Sequence, residues 1–253
     1  MSDAILQARG LTKTFAGFAA VSDVDLDVER GSIHALIGPN GAGKTTVFNL
    51  LTRFIAPTSG SIVYDGTDIT RHKPTDIANR GMVRSFQISA IFPHLSVIDN
   101  VRVALQRHLG LSYHFWRSAK VLDSTNERAM QLLEEVGLAE FAETTSVELA
   151  YGRKRALEIA TTLALDPKLM LLDEPTQGMS AEDVGKVTAL IRQVAADRTI
   201  LMVEHNLKVV STLADKITVL NRGEILAEGP YAQVSKDPAV MEAYMGTSDT
   251  AHV

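Results

Sequence analysis

The chain has 253 residues, of which 45% are hydrophobic and 22% charged, as is ordinary for a globular protein with one sizeable core. Lys and Arg number 25 against 30 Asp and Glu, and the resulting net charge of −5 does not favour nucleic acid as the main partner. Because cysteine is absent, disulfides, thiol catalysis and zinc sites held by cysteine are excluded.

The first ten residues contain an acidic Asp3 and no apolar core segment, so we expect no signal peptide. Apolar runs such as 200–203 are far shorter than the roughly 20 residues that a membrane-spanning helix needs. Short apolar segments separated by turns then predict strands and helices. The expected strands are 5–8, 24–28, 32–37, 61–64 and 82–85, and the expected helices are 44–51 and 74–80.

Residues 96–165 have a helical pattern, clearest at 130–136 and 156–165. The irregular stretch 109–126, which holds the only Trp, is predicted to be a surface excursion of this helical block. Alternating strands and helices then return, with strands at 169–172, 199–203, 216–220 and 224–227 and helices at 181–196 and 206–213. Parallel βα units with a helical block inserted between them predict an α/β sheet domain that carries a helical subdomain.

Residues 38–45 match G-x-x-x-x-G-K-[ST] at every fixed position, after a predicted strand and before a predicted helix. The glycines let backbone N–H groups point at phosphate oxygens, Lys44 bridges the β- and γ-phosphates, and the Thr45 hydroxyl binds Mg²⁺. The alternative is a plain glycine-rich turn. The predicted nucleotide-binding residues are Gly38, Pro39, Asn40, Gly41, Ala42, Gly43, Lys44, Thr45 and Thr46.

The apolar run 169–172 ends in two acids, Asp173 and Glu174. We expect Asp173 to lie near Mg²⁺, through a water, and Glu174 to reach the water that attacks the γ-phosphate. The alternative is an acidic strand end that faces solvent. A phosphate loop upstream favours the first interpretation, because its metal needs an acid at a neighbouring strand end.

With these motifs the chain resembles the nucleotide-binding subunit of ABC transporters over nearly its whole length. Gln87, after Val-Arg-Ser-Phe, resembles the Q-loop glutamine, a metal ligand and part of the catalytic set. His205 resembles the switch histidine that contacts the γ-phosphate. Phe15 resembles the aromatic residue that stacks on adenine, with Phe18 as the other candidate.

The resemblance implies a single nucleotide-binding domain over 1–250. Its expected fold is a P-loop NTPase (RecA-like) α/β core with an N-terminal antiparallel β subdomain, over 1–90 and 163–250. The expected helical subdomain is inserted at 91–162. The implied cofactors are ATP and Mg²⁺.

The family's signature loop, L-S-G-G-Q, is expected near residues 149–153, which here read Leu-Ala-Tyr-Gly-Arg. The family resemblance implies that Ala150, Tyr151, Gly152 and Arg153 contact the nucleotide of a partner subunit. Arg153 begins a run of three cations in the first helical turn, where the helix dipole disfavours each by about 0.3–1 kcal/mol. We expect Arg153 to serve the partner's nucleotide or the dimer interface, and its two neighbours, Lys154 and Arg155, to point to solvent.

The segments 149–152, 157–160 and 237–246 resemble the branched-chain amino acid importer subgroup. That resemblance implies an Mg-dependent ATPase, peripheral on the cytoplasmic face of the inner membrane. Its implied partners are a second ABC ATPase subunit in a homo- or heterodimer and two membrane-spanning permease subunits. A periplasmic solute-binding protein is reached indirectly, and no nucleic acid is expected. A permease helix is predicted to dock on part of an apolar stretch made of Ile88, Ala90, Ile91, Phe92, Pro93 and Leu95. The alternative, packing inside the helical subdomain, accounts for at least half of these residues.

Three alternatives stay open. A lipid or lipopolysaccharide exporter subunit would use the same chemistry on another cargo. A non-hydrolysing regulatory module would bind ATP only. The intact Glu174 and His205 argue against that module, whereas Ala150 and Arg153 favour it. A soluble ABC ATPase of translation or DNA repair usually carries two nucleotide domains or a long coiled coil, and this chain has one phosphate loop and no sustained heptads.

Overall fold

The computed structural model describes residues 3–85, 91–108 and 119–245. The strands are β1 (Ala4–Phe15), β2 (Phe18–Glu29), β3 (Ile33–Ile37), β4 (Ser59–Tyr64), β5 (Thr67–Asp68), β6 (Met82–Ser85), β7 (Leu169–Asp173), β8 (Thr199–Val203), β9 (Lys216–Asn221) and β10 (Glu224–Gly229). The helices are α1 (Lys44–Leu51), α2 (Pro74–Asn79), α3 (Val97–His108), α4 (Ala119–Glu135), α5 (Tyr151–Leu163), α6 (Ala181–Val194), α7 (Leu207–Leu213), α8 (Tyr231–Val234) and α9 (Pro238–Met245). Among the described residues, no helix is both long and apolar enough to cross a membrane.

The central sheet has the strand order β10-β9-β3-β8-β7-β6. The pairs β9–β3, β3–β8, β8–β7 and β7–β6 are parallel, and β10 pairs antiparallel with β9 at the edge. This arrangement confirms the predicted α/β class. Since parallel strands end at the same edge of a sheet, the segments that follow β3, β7 and β8 meet there.

Strands β3, β7 and β8 are buried along their whole length, which explains why β7 and β8 are almost entirely apolar and why β3 is apolar except for His34. Their residues alternate between two hydrophobic cores. Ala35 and Ile37 face the core made with α3 to α7, whereas Leu36 faces the core made with α1, β1, β2 and β4. The sheet is therefore covered on both faces.

A second sheet, with the order β2-β1-β4-β5, is antiparallel. Its strands β1 and β2 have 12 residues each, longer than the predicted 5–8 and 24–28. Register shifts interrupt the pairing, and Gly10 and Asp23 have positive φ of 56° and 50°. Bulges of this kind break the two-residue alternation, so the sequence pattern ends before the strands do.

The helical block is formed by α3, α4 and α5, which pack around residues such as Val101, Leu132 and Leu157. The prediction that 109–126 is an irregular excursion is wrong from residue 119 onward, because α4 begins at Ala119. Residues 123–126 are polar and have low helix propensity, so the sequence pattern does not predict a helix in this first part of α4. Residues 109–118 lie outside the described residues.

His34 is fully buried on β3 in the central sheet. Its Nε2 lies 2.8 Å from Thr218 Oγ1, and that hydroxyl donates to Glu228 Oε2 at 2.7 Å. Because the hydroxyl has only one proton, the network assigns Nε2–H of His34 as the donor to Thr218. Burial, followed by the charge of Lys216, lowers the pKa of His34 to about 4.

We expect His34 to make the fold sensitive to acid. Below its ordinary pKa of 6.5 the unfolded histidine binds a proton, whereas the folded one stays neutral to about pH 4. The free energy of unfolding should therefore fall by up to about 3 kcal/mol between pH 7 and pH 4 from this residue alone. Denaturant unfolding at both pH values measures it.

The variant His34→Gln should lose this part of the pH dependence, so that it gains stability relative to wild type at pH 4. His94→Gln is the matched control, because His94 is exposed, and its pH dependence should follow wild type. Parallel curves for wild type and His34→Gln would show that His34 is protonated in the folded chain at pH 4.

Candidate functional site

The loop between β3 and α1 has the backbone shape expected of a phosphate loop. Gly38 and Gly43 have φ of 150° and 101°. A Cβ at Gly38 would lie 2.2 Å from the Leu220 carbonyl oxygen, and one at Gly43 would lie 2.7 Å from that of Ala20. Both positions therefore require glycine, for a close approach as well as for φ. The backbones of β9 at Leu220 and of β2 at Ala20 thus lie directly against the loop.

Lys44 begins α1 and turns its side chain back over the loop. Its Nζ donates to the carbonyl oxygens of Gly38 at 2.6 Å and Pro39 at 3.0 Å. Burial lowers the pKa of Lys44, and the charges of Glu174 and Asp173 act in the opposite direction. The structure thus places the ammonium and both predicted acids within electrostatic range of one another.

Asp173 ends β7 and is almost completely buried. Its Oδ2 is 2.6 Å from Arg84 Nη2 on the adjacent strand β6. Arg84 also donates from Nη1 to Asn49 Oδ1 on α1, at 2.6 Å. The Oδ1 of Asp173 is buried, and no hydrogen-bond partner lies among the described residues. One carboxylate oxygen is therefore held by a cation, and the other is available for a ligand.

Glu174 and His205 follow the adjacent strands β7 and β8. His205 Nδ1 is 4.0 Å from Glu174 Oε2, too long for a hydrogen bond. The Glu174 side chain is 19% exposed and that of His205 is 56% exposed. A group bound above the loop can therefore reach both side chains. The nearby hydroxyl residues Thr45 and Thr46 are exposed and half-buried, respectively.

Glu204, which precedes His205, is fully buried and joins two segments of the site. Its Oε1 accepts from the N–H of Thr176 at 3.2 Å and also from the Thr176 hydroxyl. Its Oε2 accepts from the N–H groups of His205 at 2.7 Å and Asn206 at 2.9 Å. Four donors satisfy this buried carboxylate, so it fixes the backbone around His205 relative to the segment after Glu174.

The predicted signature residues lie at the start of α5. Ala150 is its N-cap and makes no capping hydrogen bond through its side chain. The guanidinium of Arg153 lies 4.0 Å from the centre of the Phe141 ring, a cation–π contact. Through this contact the Arg153 side chain packs against Phe141 of the helical block. The role of Arg153 toward a partner's nucleotide stays a prediction.

The prediction that Arg155 points to solvent is wrong. Arg155 is buried, pairs with Glu158 one helical turn later, and donates to the carbonyl oxygens of Asp173 and Pro175. The ion pair and the two hydrogen bonds offset the unfavourable interaction between the Arg155 cation and the helix dipole. The sequence alone does not reveal these partners. Lys154 is half-buried, between its two arginine neighbours.

Phe15 and Phe18 lie at the tip of the β1–β2 hairpin, 46% and 72% exposed. The ammonium of Lys13 is 5.0 Å from the centre of the Phe15 ring. Farther along β2, Ser22 N–H donates to the Gly223 carbonyl at 2.9 Å, beside the phosphate loop. Either aromatic ring is available for stacking. Gln87 lies outside the described residues.

Three charged residues at this site are not predicted from the sequence to lie inside the protein: Arg155 and Glu204, which are buried, and Arg84, which is partly buried. The sequence indicates that each of them is paired, because burying a charged side chain within or next to an apolar segment is costly unless it has a partner. Arg84 lies in strand β6 between buried residues, Arg155 lies three residues before Glu158 on helix α5, and Glu204 follows the apolar strand β8. The sequence does not reveal which partner each one takes.

Comparison with known proteins gives a consistent result. The family described as ABC transporter matches residues 21–177, and the one described as branched-chain amino acid ATP-binding cassette transporter matches residues 224–250. The chain is 40% identical to the high-affinity branched-chain amino acid transport ATP-binding protein BraF of Pseudomonas aeruginosa, over 97% of this chain and 99% of that protein. It is 38% identical to the corresponding protein LivG of Escherichia coli, over the same shares.

Among solved structures, the chain is similar to the ADP conformation of MJ1267, an ATP-binding cassette of an ABC transporter. The TM-score is 0.84 with 28% identity, and the match covers 96% of this chain and 99% of that one. The similarity therefore extends over the whole fold, including both sheets and the helical block.

Proposed function

Because this chain belongs to the ABC transporter family of ATP-binding subunits, we propose that it hydrolyses ATP to power a membrane importer for branched-chain amino acids or related small solutes. One observation carries the proposal. Lys44, Asp173 and Glu174 converge at the carboxyl edge of the central sheet, beside a glycine loop shaped for phosphate.

ATP binding follows from the phosphate loop and the start of α1. Among the described residues, the Lys44 ammonium donates hydrogen bonds to backbone carbonyls alone, and it can exchange these for bonds to the β- and γ-phosphate oxygens. The N-terminus of α1 adds partial positive charge at the same place. At the hairpin tip Phe15, or its neighbour Phe18, offers an exposed ring for adenine.

The residues present fit a Mg²⁺ ion bound with the nucleotide. Mg²⁺ prefers oxygen ligands, and it is held by one or two protein groups together with phosphate oxygens and water. Such groups are the Oδ1 of Asp173, which has no hydrogen-bond partner in the described part of the chain, and the hydroxyl of the exposed Thr45. When bound, the ion neutralises charge on the phosphate oxygens. Gln87 is proposed as a further ligand.

Hydrolysis is assigned to Glu174 and His205. The Glu174 carboxylate orients a water and accepts its proton as the water attacks the γ-phosphorus, and His205 donates a hydrogen bond to the γ-phosphate. Lys44 remains on the phosphates and stabilises their charge. Phosphate is transferred to water, so no covalent bond to the chain is formed.

We propose further that two ATP-binding subunits close head to tail around two ATP molecules. In that arrangement the residues Ala150, Tyr151, Gly152 and Arg153 meet the partner's nucleotide. The start of α5 supports this, because Ala150 leaves the first N–H groups of the helix without a side-chain cap. The assembly works at the cytoplasmic face of the membrane, with a solute-binding protein on the other side.

A groove of about 650 Å³ between β6, α2 and α3 supports a permease as the other partner. Phe54 and Phe92 line it and are each 51% exposed, and Val103 is 38% exposed. Large exposed apolar groups in a concave site favour a helix-in-groove contact. Of the predicted docking stretch, Ile91 packs against the core, while Ile88 and Ala90 lie outside the described residues.

Replacing Phe92 with Ser should weaken binding to the permease subunits at least about 30-fold, since a buried aromatic anchor contributes about 2 kcal/mol or more to an interface. Its affinity for ATP should stay near that of wild type. Met241→Ser is the control, because Met241 is similarly exposed but lies on α9. Pull-down with the permeases at graded concentrations measures the binding of both variants. Equal binding of Phe92→Ser and Met241→Ser would show that the permeases contact another surface.

The function is tested by reconstituting the chain with its permease and solute-binding subunits in vesicles. We expect leucine uptake that needs ATP on the side of this chain and stops with Glu174→Gln. Transport of lipid out of the bilayer, without amino acid uptake, would instead assign the chain to an exporter.

A further inference from the structure

The backbone of Glu174 has an unusual conformation. Its φ is 46°, in the left-handed region that residues with a side chain rarely adopt. Such a conformation persists only where surrounding contacts hold it. The Glu174 N–H donates to the Val203 carbonyl at 2.9 Å, and its own carbonyl accepts from the Gln177 N–H at 3.1 Å. Further contacts come from a distant helix.

That helix is α5, and its side chains donate to three alternate carbonyls of the segment 173–177. Arg155 Nη2 donates to the Asp173 oxygen at 3.0 Å, and its Nε donates to the Pro175 oxygen at 3.2 Å. The Tyr151 hydroxyl donates to the Gln177 oxygen at 3.2 Å. Arg155 thus spans Glu174, with one bond to the residue before it and one to the residue after it.

The charge of Arg155 is balanced inside the protein. Its Nη1 pairs with Glu158 Oε2, and both side chains are buried. This pair fixes the guanidinium plane, so the two remaining donors point at the two carbonyls. A lysine has the same charge but lacks the rigid fork that serves both carbonyls at once.

We propose that Arg155 is a positioning residue, which holds the main chain on both sides of Glu174 so that its carboxylate stands where hydrolysis needs it. The inference rests on the proposed function and adds a residue to its machinery. Because α5 begins at the residues proposed to meet the partner's nucleotide, Arg155 also connects that contact to Glu174 of the same subunit. A movement of α5 is then transmitted to the catalytic carboxylate.

The test compares Arg155→Lys with the double variant Arg155→Gln/Glu158→Gln, which leaves no unpaired buried charge. Lys154→Gln is the matched control, since it removes the adjacent cation of the same helix. Steady-state hydrolysis of Mg-ATP by the full chain gives kcat and KM, and a fluorescent ATP analogue gives nucleotide affinity. Thermal unfolding shows whether each variant is folded.

Both Arg155 variants should lose about 10- to 100-fold in kcat, because small misplacement of a catalytic group costs rates of this order. Their nucleotide affinity should stay within about twofold of wild type, and Lys154→Gln should match wild type throughout. A residue that only stabilised the fold would leave kcat unchanged in folded protein.

Wild-type kcat in either folded variant would overturn the proposal. A loss of affinity parallel to the loss of kcat would overturn it too, by assigning Arg155 to nucleotide binding. Failure of both variants to fold would make Arg155 a residue of the fold alone. A wild-type chain without ATPase activity, alone and with its permease subunits, would overturn the proposed function itself, whereas active wild type with unaffected variants overturns this inference alone.

Discussion

Glu174→Gln is expected to lower kcat for ATP hydrolysis by about 10²- to 10⁴-fold, the contribution of a well-placed general base. The amide keeps the size and hydrogen-bonding shape of the side chain, but it cannot accept the proton of the attacking water. Nucleotide binding should survive, because Lys44 and the phosphate loop are unchanged. Without hydrolysis the ATP-bound dimer cannot reopen, so the variant should accumulate as a dimer.

Phosphate release and size-exclusion chromatography with ATP measure these two effects. Glu182→Gln is the matched control, because Glu182 is an exposed carboxylate on α6 that pairs with Lys186. It should hydrolyse ATP like wild type and remain monomeric after turnover. If Glu174→Gln kept turnover near that of the control, Glu174 would have no part in the reaction.

Lys44→Ala is expected to weaken ATP binding by at least about 100-fold. The side chain can form charge-assisted hydrogen bonds to two phosphates, each contributing about 1.5–3 kcal/mol. Hydrolysis should fall below detection, since the same ammonium stabilises charge on the transferred phosphate. The fold should persist, because the substitution removes only two hydrogen bonds to loop carbonyls, at about 1 kcal/mol each.

Calorimetric titration with ATP measures the affinity, and thermal unfolding measures the fold. Lys168→Ala serves as the control, as Lys168 pairs with Asp65 on the surface and should leave ATP binding unchanged. An unfolded Lys44→Ala variant would mean that Lys44 is part of the core, and normal ATP affinity would remove it from the site.

The sequence predicts those parts of the site that are local. The phosphate loop and Glu174 follow buried strands and Asp173 ends one, so the residue types and their position relative to a strand end are enough to predict them. The alternation of apolar and polar residues fails to predict a strand where a bulge breaks the two-residue period. The bulges at Gly10 and Asp23 conceal most of β1 and β2, and they can be found only from the pairing of the two strands.

The contacts that support the site cannot be predicted from the sequence, because the two residues of each contact are far apart along the chain. Arg84 and Asp173 are 89 residues apart, and Thr176 and Glu204 are 28 apart. Arg155 shows the consequence most clearly. From its position in the first turns of a helix it was expected at the surface, yet the fold brings the carbonyls of Asp173 and Pro175 to it. The order of the strands and the packing of α5 against them determine these contacts.

Hydrolysis of ATP by the purified chain is the most direct test of its proposed role as an ATPase. Phosphate release should be saturable with ATP, require Mg²⁺, and be lost when EDTA is added or when Glu174 is replaced by Gln. The rate should be low for the chain alone and rise when the permease subunits are added. A chain that binds ATP tightly but releases no phosphate, alone and in the complex, would contradict the role as an ATPase and leave a nucleotide-binding regulatory module.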